Sequence, residues 1–429
     1  MYIRRLALKN FRNVQDAEFR PEPGLNFLVG SNGQGKTSWL EAIGLLGSLR
    51  SFRGSRTEEL LKWDTPEGGV EAETYSGPLE NPWLTQLKVT LVKTPLGQHQ
   101  RTAWINSKSY RSGTHYLSQR FGSAELGFHT IVFNPSDHEL IRGEPSARRK
   151  VLDQVLAAES LEYLEHLKRF HRVLEQRNSL LKQEGPIDRN LLTGFTEQLL
   201  PLSAWIVHAR LDWLKRMGNP LQEAAHKIAP SQPPLGLFYE GTFLDPRERF
   251  QRLFAGQEEV PSLHILEQSL MARTREVEAR ELRVGTTLVG PHRDDWGIVI
   301  GGRDLKGHGS QGEVRTALLA LKLSEIDLFR KKTGHRPVLL LDDFSSELDR
   351  ERRLFLLNFL NETDLQVFVT TTEDAGYPGQ VFHVVEGRVT RGNEQYGTRT
   401  VSDSAKQSID SSTTPSSDPG RDERREIHV

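Results

Sequence analysis

The chain has 429 residues, 36% of them apolar and 26% charged, with a formal net charge of −1. That length accommodates two or three domains that each bury a core, and the near-neutral balance excludes an overall basic field as the basis for binding a polyanion. Cysteine is absent, which excludes disulfides, thiolate nucleophiles and cysteine-bound zinc.

No apolar run is long enough to cross a bilayer. The opening "MYIRRLALKNFRN" lacks the long apolar stretch of a secretory leader, so the expectation is a cytoplasmic protein without a membrane partner. Over residues 1–30, "YIRRLALKNF", "VQDAEF" and "LNFLVG" read as short strands, the last fully buried. "GKTSWLEAIGLLGSL" reads as a helix, "LTQLKVTLV" and "RTAWI" as an antiparallel hairpin, and "HTIVF" as a further strand. At Pro145 the texture changes. Residues 146–184 contain no Gly or Pro, and Leu152, Val155, Leu156, Leu164, Leu167, Val173 and Leu174 recur at helical spacing. "EGPIDRN" reads as a turn, followed by a second helical stretch to about Ala229 that Gly194, Pro201 and Pro220 are expected to interrupt.

"APSQPPLG" is a loop and "LHILEQSLMARTREVEARELRVG" a charged helix. Strand texture returns at "TTLVGPHRDDWGIVIGGRDL". From Gln311 the order is helix, strand "PVLLL", helix "RERRLFLLNFL", strand "LQVFVTT" and short strands "QVFHVVEGRVT". An α/β pattern that opens at residue 1, is interrupted by helices and closes near 395 indicates one α/β head with an inserted helical arm. The expected boundaries are 1–145 for the first part of the head, 146–283 for the arm and 284–397 for the rest of the head. Residues 398–429, rich in Ser, Asp and Pro, are expected to be a disordered tail.

"GSNGQGKT" fits the phosphate loop, because a buried strand precedes it and a helix follows. Gly30, Ser31, Asn32, Gly33, Gln34 and Gly35 would cradle phosphates with their backbone N–H groups. Lys36 would bridge β- and γ-phosphates, and Thr37 would hold Mg²⁺. Far downstream, "VLLLDDFSSELD" runs four apolar residues into two acids. Asp342 is placed to hold Mg²⁺, and Asp343 to orient or deprotonate an attacking water. Asp349 reads as the cap of the next helix, a role compatible with a functional one. Between these motifs, "GHGSQGEVRTALLALKL" is a polar loop that opens a helix. Taken alone, Ser310, Gln311 and Gly312 read as an N-cap.

The order of phosphate loop, Ser-x-Gly, strand with two acids and "SELD" resembles the ATP-binding cassette (ABC) superfamily. The resemblance implies an ABC-type P-loop ATPase head in which Ser310, Gln311 and Gly312 cap ATP held by a second copy. "LALKNFRNVQD", "SLRSFRGSR", "VFNPSDHELIRGEPSARRKVLD", "LVGPHRDD" and "LLLDDFSSELD" are, beyond that, similar to the RecF family. That likeness implies a weak, DNA-dependent ATPase that uses ATP and Mg²⁺, forms a homodimer on ATP binding, and binds single- and double-stranded DNA at gaps. It further implies work with RecO and RecR in loading RecA, in repair, replication and the SOS response. It places Arg12 near the nucleotide. The sequence departs from the usual pattern at Glu313, where Gln is common, an acid expected close to the incoming γ-phosphate or turned away from it. Thr370 to Thr372 stand where transporters carry a switch His.

Basic clusters are local: Arg4, Arg5, Lys9 and Arg12; Arg50, Arg53 and Arg56; Arg148, Arg149 and Lys150. Arg50, Arg53 and Arg56, with Phe52 among them, are the candidate DNA contacts. "GPHRDD" reads either as a turn with a structural Arg293–Asp294 ion pair or as part of the head–arm junction. The competing readings are a transporter's nucleotide-binding subunit, an SMC-like structural tether and a nucleotide kinase. The first lacks support in the missing His and the long separation of Lys36 from Ser310. The second needs far longer arms than 146 to about 229, and the third leaves Ser310 and "SELD" unexplained.

Overall fold

Among the described residues, three β-sheets organise the chain. The computed structural model describes residues 1–76, 83–119, 128–244, 250–343, 349–373 and 378–392; the tail expected from 398 lies outside them. The first sheet is antiparallel and six-stranded, in the order β2-β1-β4-β5-β6-β7. Its strands are β1 (Tyr2–Phe11), β2 (Val14–Phe19), β4 (Glu67–Ser76), β5 (Trp83–Lys93), β6 (His99–Ile105) and β7 (Lys108–Tyr110). The β5–β6 hairpin is the one that alternation announces. The second sheet runs β15-β14-β3-β13-β12-β8. Here β3 (Leu25–Val29), β8 (Thr130–Phe133), β12 (Val338–Leu341), β13 (Val367–Thr371) and β14 (Gln380–Val385) are parallel, and β15 (Arg388–Arg391) closes the edge antiparallel. β12 and β13 are buried along their whole length and β3 over its last four residues. That is why β12 reads as an unbroken apolar run, whereas β3 carries a buried Asn26 and β13 ends in Thr370 and Thr371.

Helix α1 (Lys36–Ser48) fills the space between these two sheets, with Trp39, Leu40, Ile43 and Leu46 in their shared core. The sheets are also tied directly. Gln366 acts as a substitute strand: its side chain accepts from Ile3 N–H at 2.7 Å and donates to Ile3 O at 2.9 Å.

Short helices α2 (Thr57–Leu60), α3 (Gly113–Ser118) and α4 (Glu139–Arg142) precede the arm. The arm helices are α5 (Pro145–Glu159), α6 (Leu161–Leu181), α7 (Arg189–Ile228), α8 (Gln251–Phe254) and α9 (Leu263–Val284). Contrary to expectation, α7 is one helix of 40 residues that passes through Gly194, Pro201 and Pro220. Each internal proline removes one backbone hydrogen bond. α7 nevertheless buries Leu199, Leu200, Ile206, Val207, Leu211, Leu214 and Leu221 in the arm's core, and that burial overrides the local penalty. The third sheet, β9 (Leu235–Glu240), β10 (Asp295–Ile300) and β11 (Arg303–Asp304), joins residues on both sides of position 283. The segment 286–294, expected to have strand texture, is a loop apart from its turn at 291–293.

After α10 (Leu305–His308) comes α11 (Gln311–Thr333), which wedges between two cores. Val314, Ala317, Ala320, Leu321 and Leu328 belong to the arm core; Leu319, Leu323 and Ile326 belong to the core under the parallel sheet. α12 (Arg350–Glu362) packs Leu356, Leu357 and Leu360 into the latter.

The two most distinctive motifs of the sequence meet at this junction. Arg148 makes a bidentate pair with Asp295 at 2.8 and 2.7 Å and donates to Gly143 O at 2.8 Å. Arg149 donates to Asp294 O, and Trp296 Nε1 donates to Arg148 O. The expected Arg293–Asp294 ion pair is not formed. The Asp294 carboxylate accepts from Tyr239, from the Thr242 N–H and from the Thr242 hydroxyl, while Arg293 donates to Thr287 O. Arg148, counted above among the basic clusters, is buried at 3% exposure and is no surface cation.

Replacing Asp295 by Ala leaves this buried guanidinium without its counter-charge. The expected loss is about 3 kcal/mol, read as a lower midpoint of urea unfolding; an unchanged midpoint contradicts the assignment.

Candidate functional site

The C-terminal ends of three neighbouring parallel strands bring together the parts of one site. β3 leads into the phosphate loop, β12 into Asp342 and β13 into Thr370. In the loop, Gly33 and Gly35 have φ of +82° and +97°, a region that glycine enters without strain. A Cβ on Gly35 would lie 2.7 Å from the Asn13 amide, and one on Gly30 2.5 Å from Val384 O, so the loop is pressed against its surroundings. Lys36 folds over the loop and donates to Gly30 O at 2.7 Å and Ser31 O at 2.9 Å. Burial lowers its pKa, opposed by the charges of Asp343 and Asp342. Ser31 and Asn32 are exposed on the loop. Gln34 anchors it to the β14–β15 turn, accepting from Glu386 N–H on its side chain and from Gly387 N–H on its carbonyl.

Thr37 Oγ1 donates to Asp342 Oδ1 at 2.8 Å, across 305 positions of sequence. Thr370 Oγ1 donates to the same oxygen at 2.8 Å and accepts from Asp343 N–H at 2.8 Å. Burial raises the Asp342 pKa, a rise that the two hydroxyls limit and the neighbouring Asp343 reinforces. Asp343 sits at φ +51°, a left-handed conformation that costs a non-glycine residue about 1 kcal/mol and turns the chain sharply after β12. One hydroxyl and one carboxylate side by side are hard oxygen donors suited to Mg²⁺. Among the described residues no cluster of three carboxylates or histidines could hold a metal alone, so phosphate oxygens would complete the shell.

Arg12 points to the flank of α1, not into the loop. It pairs with Glu41 at 2.8 and 2.7 Å and donates to Glu59 O, with Ser55 also in contact. Ser51 contacts the same Glu41 carboxylate. This network pins the segment that carries Arg50, Arg53 and Arg56 onto α1. Arg50 and Arg53 are exposed. Arg56 is exposed and 3.7 Å from Glu58.

Ser310 caps α11. Its hydroxyl accepts from Glu313 N–H at 3.2 Å, and its own N–H is held by Glu313 Oε2 at 2.7 Å. Glu313 therefore turns back to close a capping box, and this hydrogen bond lowers its pKa. Among the described residues no hydrogen bond joins Ser310, Gln311 or Gly312 to residues 30–37. Asp349 caps α12 by accepting from Arg352 N–H at 3.1 Å. Burial pushes the Asp349 pKa up, but the Arg352 N–H and guanidinium outweigh it and hold the carboxyl below its ordinary range. Asn13, Glu41 and Arg352 went unnoticed as site residues, while Thr370 was singled out only as standing in place of a switch His. Arg352 alone left a signal, an Arg three residues after the capping Asp349.

With this geometry in view, the likenesses to known proteins are informative. The family described as the RecF/RecN/SMC N terminal domain matches residues 2–380. The DNA replication and repair protein RecF of Geobacter metallireducens is 36% identical over 397 residues, covering 91% of this chain and 100% of that protein. The Bacillus pumilus protein of the same name is 33% identical over 400 residues, covering 91% of this chain and all of its own. A solved structure of the recombination mediator protein RecF with ATP, in the RecFOR pathway, matches with a TM-score of 0.78 and 31% identity over 91% of this chain and 98% of that one. Among the described residues no helix is long and apolar enough to cross a membrane.

The upward shift at Asp342 has a pH consequence. Were Mg²⁺ held by Asp342, it would need the carboxylate, so its affinity should fall as pH is lowered, beginning above the range of an ordinary aspartate. Calorimetric Mg²⁺ titrations at a series of pH values, with saturating nucleotide, should show this slope in the parent and lose it in Asp342→Asn. An identical slope in the variant contradicts the assignment.

Proposed function

The chain belongs to the RecF family, within the RecF/RecN/SMC group, and from that premise we propose that it is an ATP-driven dimerisation switch that acts on DNA in recombinational repair and replication. The observation that carries this reading is the division of the anion-binding elements into two sets that, among the described residues, share no hydrogen bond within one protomer. Lys36, Thr37, Asp342 and Asp343 form one set. The Ser310 helix start forms the other, at the positive dipole end of α11. Nothing in the protomer demands glycine at 312: its φ is not positive, and a Cβ there would meet only the Arg352 guanidinium at 3.4 Å. Close approach of a phosphate held by a second copy accounts for it.

In this scheme the phosphate-loop N–H groups and Lys36 bind the β- and γ-phosphates. Thr37 and Asp342 would hold Mg²⁺, which supplies charge neutralisation between those phosphates. Asp343 orients the attacking water and accepts its proton. Ser310, Gln311, Gly312 and Asp349 complete the site from the other copy. Arg12 acts indirectly, by fixing α1 and the basic segment through Glu41. Arg50, Arg53 and Arg56 are the DNA contacts. RecO and RecR are the protein partners that the family resemblance supplies.

The direct test is sedimentation with and without ATP and DNA, repeated across salt. It should show ATP-dependent dimers whose DNA binding weakens as salt rises. A chain that stays monomeric with ATP and Mg²⁺ contradicts the switch. Asp343→Asn should slow hydrolysis and accumulate the ATP-bound dimer, visible as a persistent dimer peak at limiting ATP. Ser310→Arg should bind ATP as the parent does, measured by fluorescent-nucleotide titration, and fail to dimerise. Loss of ATP binding in that variant would place Ser310 in its own protomer's site.

A further inference from the structure

Arg352 does more than its place in the first turn of α12 requires. The cap of that helix is complete with Asp349 Oδ1 and the Arg352 N–H. Yet the guanidinium, 14% exposed, spans the gap to α11. Its Nε donates to Thr316 Oγ1 at 2.9 Å, and one terminal nitrogen contacts Asp349 Oδ2. Thr316 is fully buried and its hydroxyl donates onward to Gly312 O at 3.1 Å. The second terminal nitrogen lies 3.4 Å from where a Cβ on Gly312 would sit. Among the described residues this is the single hydrogen-bonded link between α11 and α12. It runs from the Ser310–Gly312 helix start to Asp349, two elements that a nucleotide in a second copy would have to meet together.

We infer that Arg352 is a positioning residue for the composite site: its planar fork holds the first turn of α11 and the cap of α12 as one rigid face for the triphosphate carried by another copy. The inference rests on the proposed reading of Ser310 in trans. A guanidinium suits the task because it can satisfy Thr316 and Asp349 at fixed angles at once, whereas an ammonium is a point donor. Pre-organising both elements lowers the ordering cost of docking.

The test uses the full chain and three variants: Arg352→Ala, Arg352→Lys and Thr316→Val. The last keeps the cation and removes its acceptor, so it carries the test if Arg352→Ala does not fold. Two quantities are read: monomer affinity for ATP, and the ATP concentration giving half-maximal dimer by sedimentation. Folding is followed by thermal melting. All three variants should bind ATP as the parent does and melt near its temperature, yet need at least tenfold more ATP to dimerise. The inference is overturned if Arg352→Ala or Thr316→Val dimerises at the parent's ATP concentration. It is equally overturned if Arg352→Lys restores dimerisation fully, since charge alone would then suffice. A parent chain that does not dimerise with ATP removes the trans reading itself, an outcome visible without any variant.

Discussion

The hydrogen bond from Thr37 to Asp342 is the contact on which the rest of the site depends. It joins the start of α1 to the end of β12, and with them the two halves of a chain that the helical arm separates. The contact exists because β3 and β12 both flank β13, in register, so that their C-terminal ends open at one level. Thr370, from the strand between them, supplies the second hydroxyl. A buried carboxylate with a raised pKa would be costly without such donors. Here the donors double as the surroundings that a divalent cation needs.

Helix α11 makes a second constraint. It contributes to the core of the arm along one side and to the core beneath the parallel sheet along the other. A phosphate that pulls on its first turn therefore pulls on both bodies. The "GEPSARR" and "GPHRDD" stretches lie at the same joint, where the buried Arg148–Asp295 pair fixes α5 against β10. Burial of a bidentate pair specifies one arrangement more than it adds stability.

Much of this was legible in the sequence. The glycine spacing at 30–37 and the apolar run 338–341 ending in two acids each carry a local rule that leads to one geometry. The helical periodicity of 146–181 likewise yields α5 and α6. What was not legible depends on tertiary partners. Pro201 and Pro220 obey a local rule for breaking helices, and only the faces that α7 buries overrule it. An Arg293–Asp294 pair was one of two readings open from adjacency, whereas Asp294 finds Tyr239 and Asp295 finds Arg148, both distant in sequence. Glu313 looked misplaced beside an anion site until its side chain was seen to close the Ser310 cap. Arg12 pairs with Glu41, an unremarkable helix residue in the sequence, a contact that only the fold reveals.

The central claim is that Lys36 of one copy and Ser310 of another act on the same phosphate. Mixing two damaged chains tests it most directly. Lys36→Ala and Ser310→Arg, each inactive alone, are combined in equal amounts, and steady-state ATP hydrolysis is measured. In a mixed dimer one composite site carries both an intact Lys36 and an intact Ser310. The account therefore predicts that hydrolysis reappears on mixing. Absence of hydrolysis in the mixture, with both chains folded and Ser310→Arg still binding ATP, would contradict it, as would parent-like hydrolysis by Ser310→Arg on its own.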